Sequence, residues 1–97
     1  MKKSVDAKIC WVSYEEGGRK NTVPIGIKYS PLIFFDGQET SSIAWSAEIF
    51  VLEHIGDLSS IIKLSYLSPE APRLCLESGN HFKLYEGAKI VASGEIT

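Results

Sequence analysis

The stretch HFKLYEGAKIVASG, residues 81–94, decides which fold the sequence predicts. Phe82 and Leu84 alternate with polar neighbours, and after Glu86-Gly87 a second alternating run contains Ile90 and Ala92. An apolar residue at every second position is typical of a strand with one buried face. A Glu-Gly pair between two such runs favours a tight turn. The stretch therefore predicts two short strands joined by a turn.

The same rhythm recurs along the chain. Ile62, Leu64 and Tyr66 form one alternating run, Ala7, Ile9 and Trp11 form another, and LIFF at 32–35 predicts a strand buried on both faces. Turn residues separate these runs at intervals of roughly ten residues, which indicates an all-β barrel or sandwich. A closed barrel is favoured, because closure removes sheet edges that so small a domain could not otherwise cover.

Length and composition limit the possible functions. The 97 residues predict one domain, 1–97, with residues 1–5 as a flexible lead-in. A formal net charge of −2 argues against a nucleic-acid binder that relies on bulk electrostatics. The apolar runs are too short to cross a bilayer, and no signal-peptide pattern follows the initial Met. Cys10 and Cys75 have no CxxC spacing and are expected as reduced, half-buried thiols, so we expect a cytoplasmic protein without a membrane partner.

No pattern of catalytic or metal-binding residues stands out. His54 and His81 are both expected as exposed surface histidines, and the sequence has no Gly-x-Ser-x-Gly elbow. Cys10, His54, Cys75 and His81 lack the paired short spacings of a zinc site. A GxxxxGK[ST] phosphate loop is also missing, so no nucleotide site is expected. The sequence predicts no cofactor and no metal, and an enzyme ranks below a binding module.

The loop YEEGGRK, residues 14–20, has two interpretations. Gly17 and Gly18 could let the backbone approach a phosphate, with Arg19 and Lys20 as cationic donors. The same residues could equally form a tight turn whose charges are solvated.

Three stretches together resemble the C-terminal β-barrel domain, the third domain, of translation elongation factor Tu. They are YEEGGRK at 14–20, YSPLIFF at 29–35 and FKLYEGAKIVASG at 82–94. The resemblance covers residues 6–97 and implies a six-stranded antiparallel barrel. In that family the domain packs against a GTP-binding domain, meets a nucleotide-exchange factor and touches the backbone of the T arm of aminoacyl-tRNA. GTP hydrolysis belongs to another domain of the factor, so the resemblance implies no catalysis here.

The resemblance also implies a set of binding residues. Arg19 and Lys20 occupy positions that contact tRNA in the family, next to Gly17 and Gly18. The last turn supplies a backbone contact at Gly87, beside Glu86, and Lys89 stands where the family has arginine. Ser41 falls near a family threonine that bonds the sugar-phosphate chain. The candidate site for RNA or a protein partner is therefore Gly17, Gly18, Arg19, Lys20, Ser41, Glu86, Gly87 and Lys89.

Several basic positions of the family are lost, and this loss separates two functions. The family's Arg-Pro-Gln is Ser30-Pro31-Leu32 here, a lysine is replaced by Ser68 and an arginine by Tyr85. Each lost phosphate contact weakens RNA binding. We therefore expect first a protein-interaction module that imitates the factor's third domain. The alternative is weak binding of aminoacyl-tRNA through the T-arm backbone, and a small cytoplasmic enzyme ranks last.

Overall fold

The computed structural model describes residues 4–18, 23–35, 45–67 and 76–97. Within these ranges the chain forms seven strands and one short turn of 3-10 helix. In chain order they are β1 (Ser4–Trp11), the 3-10 helix (Tyr14–Glu16), β2 (Lys28–Tyr29), β3 (Leu32–Phe35), β4 (Trp45–His54), β5 (Ser59–Tyr66), β6 (His81–Glu86) and β7 (Lys89–Ile96).

Six of the strands close into an antiparallel barrel. The order around the ring is β4, β3, β6, β7, β1 and β5, and β5 pairs again with β4. Each of these strands therefore has a neighbour on both edges, which is how a barrel avoids exposed sheet edges. The predicted fold, a closed six-stranded antiparallel β-barrel, is confirmed.

The seventh strand, β2, lies outside the ring but follows the line of β3. Tyr29 pairs with Ile49 of β4 and Leu32 pairs with Ser46, so the two short strands share one register. Between them the carbonyl of Pro31 accepts a hydrogen bond from the Ala47 amide at 2.8 Å. Pro31 has no amide hydrogen to donate, which accounts for the interruption of regular pairing at this point.

The barrel interior is filled by one face of each strand. Ala7, Ile9 and Trp11 of β1 are buried, as are Ile62, Leu64 and Tyr66 of β5, which confirms the alternation expected for both runs. In the described ranges the buried apolar set also includes Ile33, Phe35, Ala47, Ile49, Val51, Phe82, Leu84, Val91, Ala92 and Ile96, with Val23 and Leu76 from outside the strands. All six barrel strands therefore contribute to a single core.

The alternation expected in β7 is wrong at its first residues. Leu84 pairs with Ala92 whereas Tyr85 pairs with Ile90, so Val91 is an extra residue in a β-bulge. A bulge turns two consecutive residues away from strict alternation. As a result Val91 is fully buried and Ile90 is 39% exposed.

Three further expectations need correction. The LIFF strand is buried on one face only, because Leu32 and Phe34 are half-buried on the outside of the barrel. Ser4 and Val5, expected in a flexible lead-in, belong to β1 and pair with β5. Cys10 is a free thiol but is exposed rather than half-buried, and Cys75 lies outside the described residues.

The strand directions define two ends of the barrel. At one, β1, β4 and β6 finish while β3, β5 and β7 begin. We call it the Gly87 end, after the β6–β7 turn. At the opposite end, the Phe35 end, β3, β5 and β7 finish while β1, β4 and β6 begin.

Candidate functional site

The Gly17-Gly18 segment is a tight helical turn directly after β1. Gly17 has a φ of 98° and donates its amide hydrogen to the Tyr14 carbonyl at 3.1 Å, which ends the 3-10 helix. The Gly18 amide bonds the Ser13 carbonyl at 2.9 Å, and a Cβ on Gly18 would lie 1.9 Å from the Val12 carbonyl oxygen. Both glycines are therefore required by the turn itself, whether or not a ligand binds there.

The second predicted segment is the two-residue turn between β6 and β7. Glu86 pairs with Lys89, and between them Gly87 has a φ of 63°. The half-buried Glu86 carboxylate accepts a hydrogen bond from the Tyr29 hydroxyl, so it ties β2 to this turn. Lys89 is exposed. Of the two charged groups in the turn, only the lysine extends freely into solvent.

The fold brings these two segments to the same end of the barrel. Trp11 pairs with Ala92, and the next amide, that of Val12, donates to the Val91 carbonyl at 2.8 Å. The turn after β1 and the turn before β7 therefore both lie at the Gly87 end. Arg19, Lys20 and Ser41 lie outside the described residues. The described residues that flank the segment containing Ser41 are Phe35 and Trp45, and they lie at the opposite end.

The described charges at the Gly87 end are mainly negative. Glu15, Glu16, Glu53 and Asp57 are exposed there. Lys28 lies 3.8 Å from the Glu48 carboxylate and is partly neutralised. Lys89 is the exposed cation of the turn. Among the described residues, which do not include Arg19 and Lys20, this balance favours a ligand surface that carries positive charge over a polyanion.

Exposed apolar side chains also concentrate at the Gly87 end. Among the described residues, eight large hydrophobic side chains are exposed, and seven of them lie at or beside this end: Tyr14, Ile25, Ile27, Leu52, Ile55, Leu58 and Ile90. The eighth, Leu67, follows β5 at the Phe35 end. We call the seven residues the apolar end patch.

Backbone contacts connect the members of this patch. The Gly26 amide, between Ile25 and Ile27, donates to the Val51 carbonyl at 3.1 Å, and Leu52 follows directly. The Leu58 carbonyl accepts from the Trp11 amide at 2.6 Å, three residues before Tyr14. These contacts place the segment before β2 beside the end of β4, and the β4–β5 turn beside the end of β1.

Sequence reasoning missed this patch. Its members stand next to turn residues, as in Ile25-Gly26-Ile27 and Ile55-Gly56-Asp57, where apolar side chains have no core to enter. Leu52 is the extra residue of a bulge in β4, since Val51 pairs with Ile62 and Glu53 pairs with Ile61. The sequence signal that could have indicated these exposed positions is an isoleucine next to a turn glycine. A bulge depends on the pairing partner and leaves no such signal.

His54 lies within hydrogen-bond distance of a buried side chain. His54 is exposed, as expected, but its Nδ1 lies 2.7 Å from the hydroxyl of Ser60. Ser60 is 0% exposed and accepts a hydrogen bond from Trp11 Nε1 at 3.0 Å. A serine that solvent cannot reach is not placed to attack a substrate, so this pair serves as a link between the core and the Gly87 end.

Neither the remaining described residues nor the comparisons with known proteins identify a function. Among the described residues no three His, Cys, Asp or Glu side chains lie close enough together to hold a metal ion. None of the described residues forms a helix of the length and apolarity that a membrane crossing requires. No protein-family model matches the sequence, and no curated protein matches it significantly.

Proposed function

We propose that this protein is a non-catalytic cytoplasmic binding module that engages a protein partner through the apolar end patch. The observation that supports the proposal is that seven of the eight large hydrophobic side chains exposed in the described part of the chain lie at or beside the Gly87 end. In the role suggested by the sequence, the module imitates the third domain of elongation factor Tu and occupies a protein that recognises that domain.

The location of the exposed apolar side chains is what suggests a binding surface. Hydrophobic side chains scattered singly over a surface need no explanation, whereas a group of them on one face marks an interaction site. Burial stabilises a complex by about 25 cal/mol for each Å² of apolar surface removed from water. Tyr14, at 64% exposure, and Ile25, at 58%, have most of their surface still available for such burial.

The charge around the patch defines the partner's surface. Glu15, Glu16, Glu53 and Asp57 surround the apolar residues. Charges at the rim of an interface steer association and exclude partners of like charge. The partner therefore presents apolar side chains bordered by lysine or arginine.

The test introduces aspartate in place of exposed apolar side chains at each end of the barrel, twice in the patch and once at the Phe35 end. Ile27→Asp with Ile55→Asp places two charges in the patch, and Leu67→Asp places a charge at the Phe35 end on a side chain of similar exposure. Wild-type protein and the Leu67 variant should retain the same stoichiometric protein from a lysate of the source cells. The patch variant should retain at least tenfold less, while thermal unfolding shows that all three proteins are folded.

Equal retention by all three proteins would show that the patch is not the docking surface. If the wild-type protein retained no protein in stoichiometric amount, the proposed function would be wrong.

The second candidate is weak binding of aminoacyl-tRNA through the backbone of its T arm. The observation in its favour is that Gly17 and Gly87 share one end, and a Cβ on either would meet no atom within 4 Å, so both leave room for a close backbone approach. Titration of labelled aminoacyl-tRNA at low salt tests it. Binding that disappears with Arg19→Ala plus Lys20→Ala supports this candidate, and no binding at low salt eliminates it.

A further inference from the structure

A groove of about 560 Å³ runs over the outer wall of the barrel, away from the apolar end patch. Its floor is β7, and its walls are the outward side chains of β1 and β6. The polar and charged side chains that line it include Lys8, Cys10, His81, Lys83, Ser93 and Glu95. They include two lysines, a histidine, one carboxylate and an exposed thiol.

Strand register fixes the arrangement of the groove. Cys10 pairs with Ser93, and Ser93 pairs with Lys83, so the thiol and the lysine lie on either side of a small hydroxyl side chain. Two strand spacings separate β1 from β6, about 10 Å. Lys8 is two residues from Cys10 and therefore on the same side of β1. The exposed thiol thus has one lysine along its own strand and another across the groove.

The charges of the groove are unevenly neutralised. Glu95 lies 3.8 Å from His81 through Oε1 and Nε2. Lys8 and Lys83 form no ion pair with any residue that the structure describes. Two unpaired ammonium groups facing one concave surface favour ligands with carboxylate or phosphate groups.

We propose that this groove binds small organic anions and directs anionic disulfides, such as oxidised glutathione, onto Cys10. In the reaction the Cys10 thiolate attacks one sulfur of the bound disulfide and forms a new S–S bond. The original S–S bond breaks, and the second half leaves as a thiolate that takes up a proton from water. Cys10 is thereby oxidised to a mixed disulfide, and one molecule of the small thiol is released in reduced form.

The first test compares two disulfide reagents that differ in charge. A Cys75→Ser background leaves Cys10 as the single thiol. At low ionic strength, Lys8→Ala plus Lys83→Ala should slow reaction with the dianionic dithiobis(nitrobenzoate) about tenfold, because two attractive charges are removed. Reaction with the neutral dithiodipyridine should change less than twofold. Lys28→Ala removes one positive charge outside the groove and should leave both rates unchanged.

The second test separates binding from the covalent step. S-methylglutathione carries the carboxylates of glutathione but cannot exchange. It should slow the reaction of Cys10 with dithiodipyridine in a saturable way, and this protection should disappear in the variant lacking both lysines. Peptide mapping after treatment of the unmodified chain with oxidised glutathione should place the adduct on Cys10, which provides a readout that does not depend on the Cys75→Ser background.

An unchanged ratio of the two rates in the variant lacking both lysines would overturn the proposal, as would the absence of protection by S-methylglutathione. An adduct confined to Cys75 would also overturn it. Because the groove and the apolar end patch share no residue, these outcomes leave the proposed protein-binding function unaffected.

Discussion

At the scale of single residues, the Ser60 hydroxyl contacts both a core side chain and a surface side chain. Its buried hydroxyl accepts from Trp11 Nε1 and lies within hydrogen-bond distance of His54 Nδ1. A hydroxyl can accept and donate at once, so it can satisfy both partners if the histidine nitrogen accepts. Without that hydroxyl, the buried indole N–H would have no partner at this position.

We therefore expect Ser60→Ala to lower the free energy of unfolding by about 1–3 kcal/mol, the cost of a buried donor left without an acceptor. His54→Ala, which removes only the exposed partner, should cost less than about 1 kcal/mol. Urea unfolding of the two variants measures both values. A Ser60→Ala protein as stable as wild type would show that the Trp11 hydrogen bond is dispensable.

Gly94 is a second residue whose role is local. A Cβ there would lie 2.6 Å from Ile9 Cγ2, 2.7 Å from the Lys8 carbonyl oxygen and 2.8 Å from Phe82 Cζ. Gly94 pairs with Ile9 on one side and Phe82 on the other, so the added carbon would enter the space between two core side chains.

Gly94→Ala should therefore destabilise the protein by about 1–3 kcal/mol, as overpacking in a filled core usually does. Gly56→Ala is the matched control, because its nearest atom would be 4.0 Å away, and we expect it to be neutral or slightly stabilising. Thermal unfolding monitored by circular dichroism compares the two. Equal midpoints for both variants would contradict this account of Gly94.

At the scale of elements, the β6–β7 turn depends on one backbone conformation. Gly87 has a positive φ and Ala88 does not, which is the pattern of a type II′ turn with glycine at its first central position. This turn sets the register of two strands and holds the Glu86 carboxylate beside Tyr29.

Gly87→Ala should lower the free energy of unfolding by about 1–2 kcal/mol, because the left-handed region is strained for residues with a Cβ. Ala88→Gly, at the neighbouring position, should cost less than about 1 kcal/mol. Denaturant unfolding distinguishes them. A larger loss for Ala88→Gly than for Gly87→Ala would show that the turn is of another type.

Strand elements were predictable from sequence where pairing is regular. The alternation in β1, β5 and β6 follows directly from one buried face, and it indicated the inner residues correctly. The bulge at Val91 was not predictable, because it exists only in relation to Tyr85 on the neighbouring strand. The 3-10 turn at Tyr14–Glu16 was likewise hidden, since three residues are too few to show a helical period.

At the scale of the whole molecule, closure of the barrel explains why the site was only partly predictable. The turns at Gly17 and Gly87 were recognisable as turns, but their shared position depends on β1 lying beside β7. The apolar end patch could not be predicted without the complete fold, because its members come from four separate stretches of the chain. The resemblance to elongation factor Tu stays a prediction.

Charge reversal at the Gly87 end separates the two proposed functions. Glu15→Lys with Glu16→Lys adds positive charge beside Gly17. If the partner is a protein with a basic rim, its association should weaken severalfold at low salt and change less at high salt. If the ligand is aminoacyl-tRNA, the same variant should bind more tightly. Biolayer interferometry at two salt concentrations measures the direction, and an unchanged affinity for both ligands would place the binding surface elsewhere.

The position of β1 in the ring has a consequence for synthesis of the protein. This first strand lies between β5 and β7, so its two neighbours are made last and midway through the chain. Ribosomes add about 5–20 residues per second, and β1 therefore waits several seconds for its final neighbour. During that interval Ile9 and Trp11, both buried in the finished barrel, lack the strand that completes their burial.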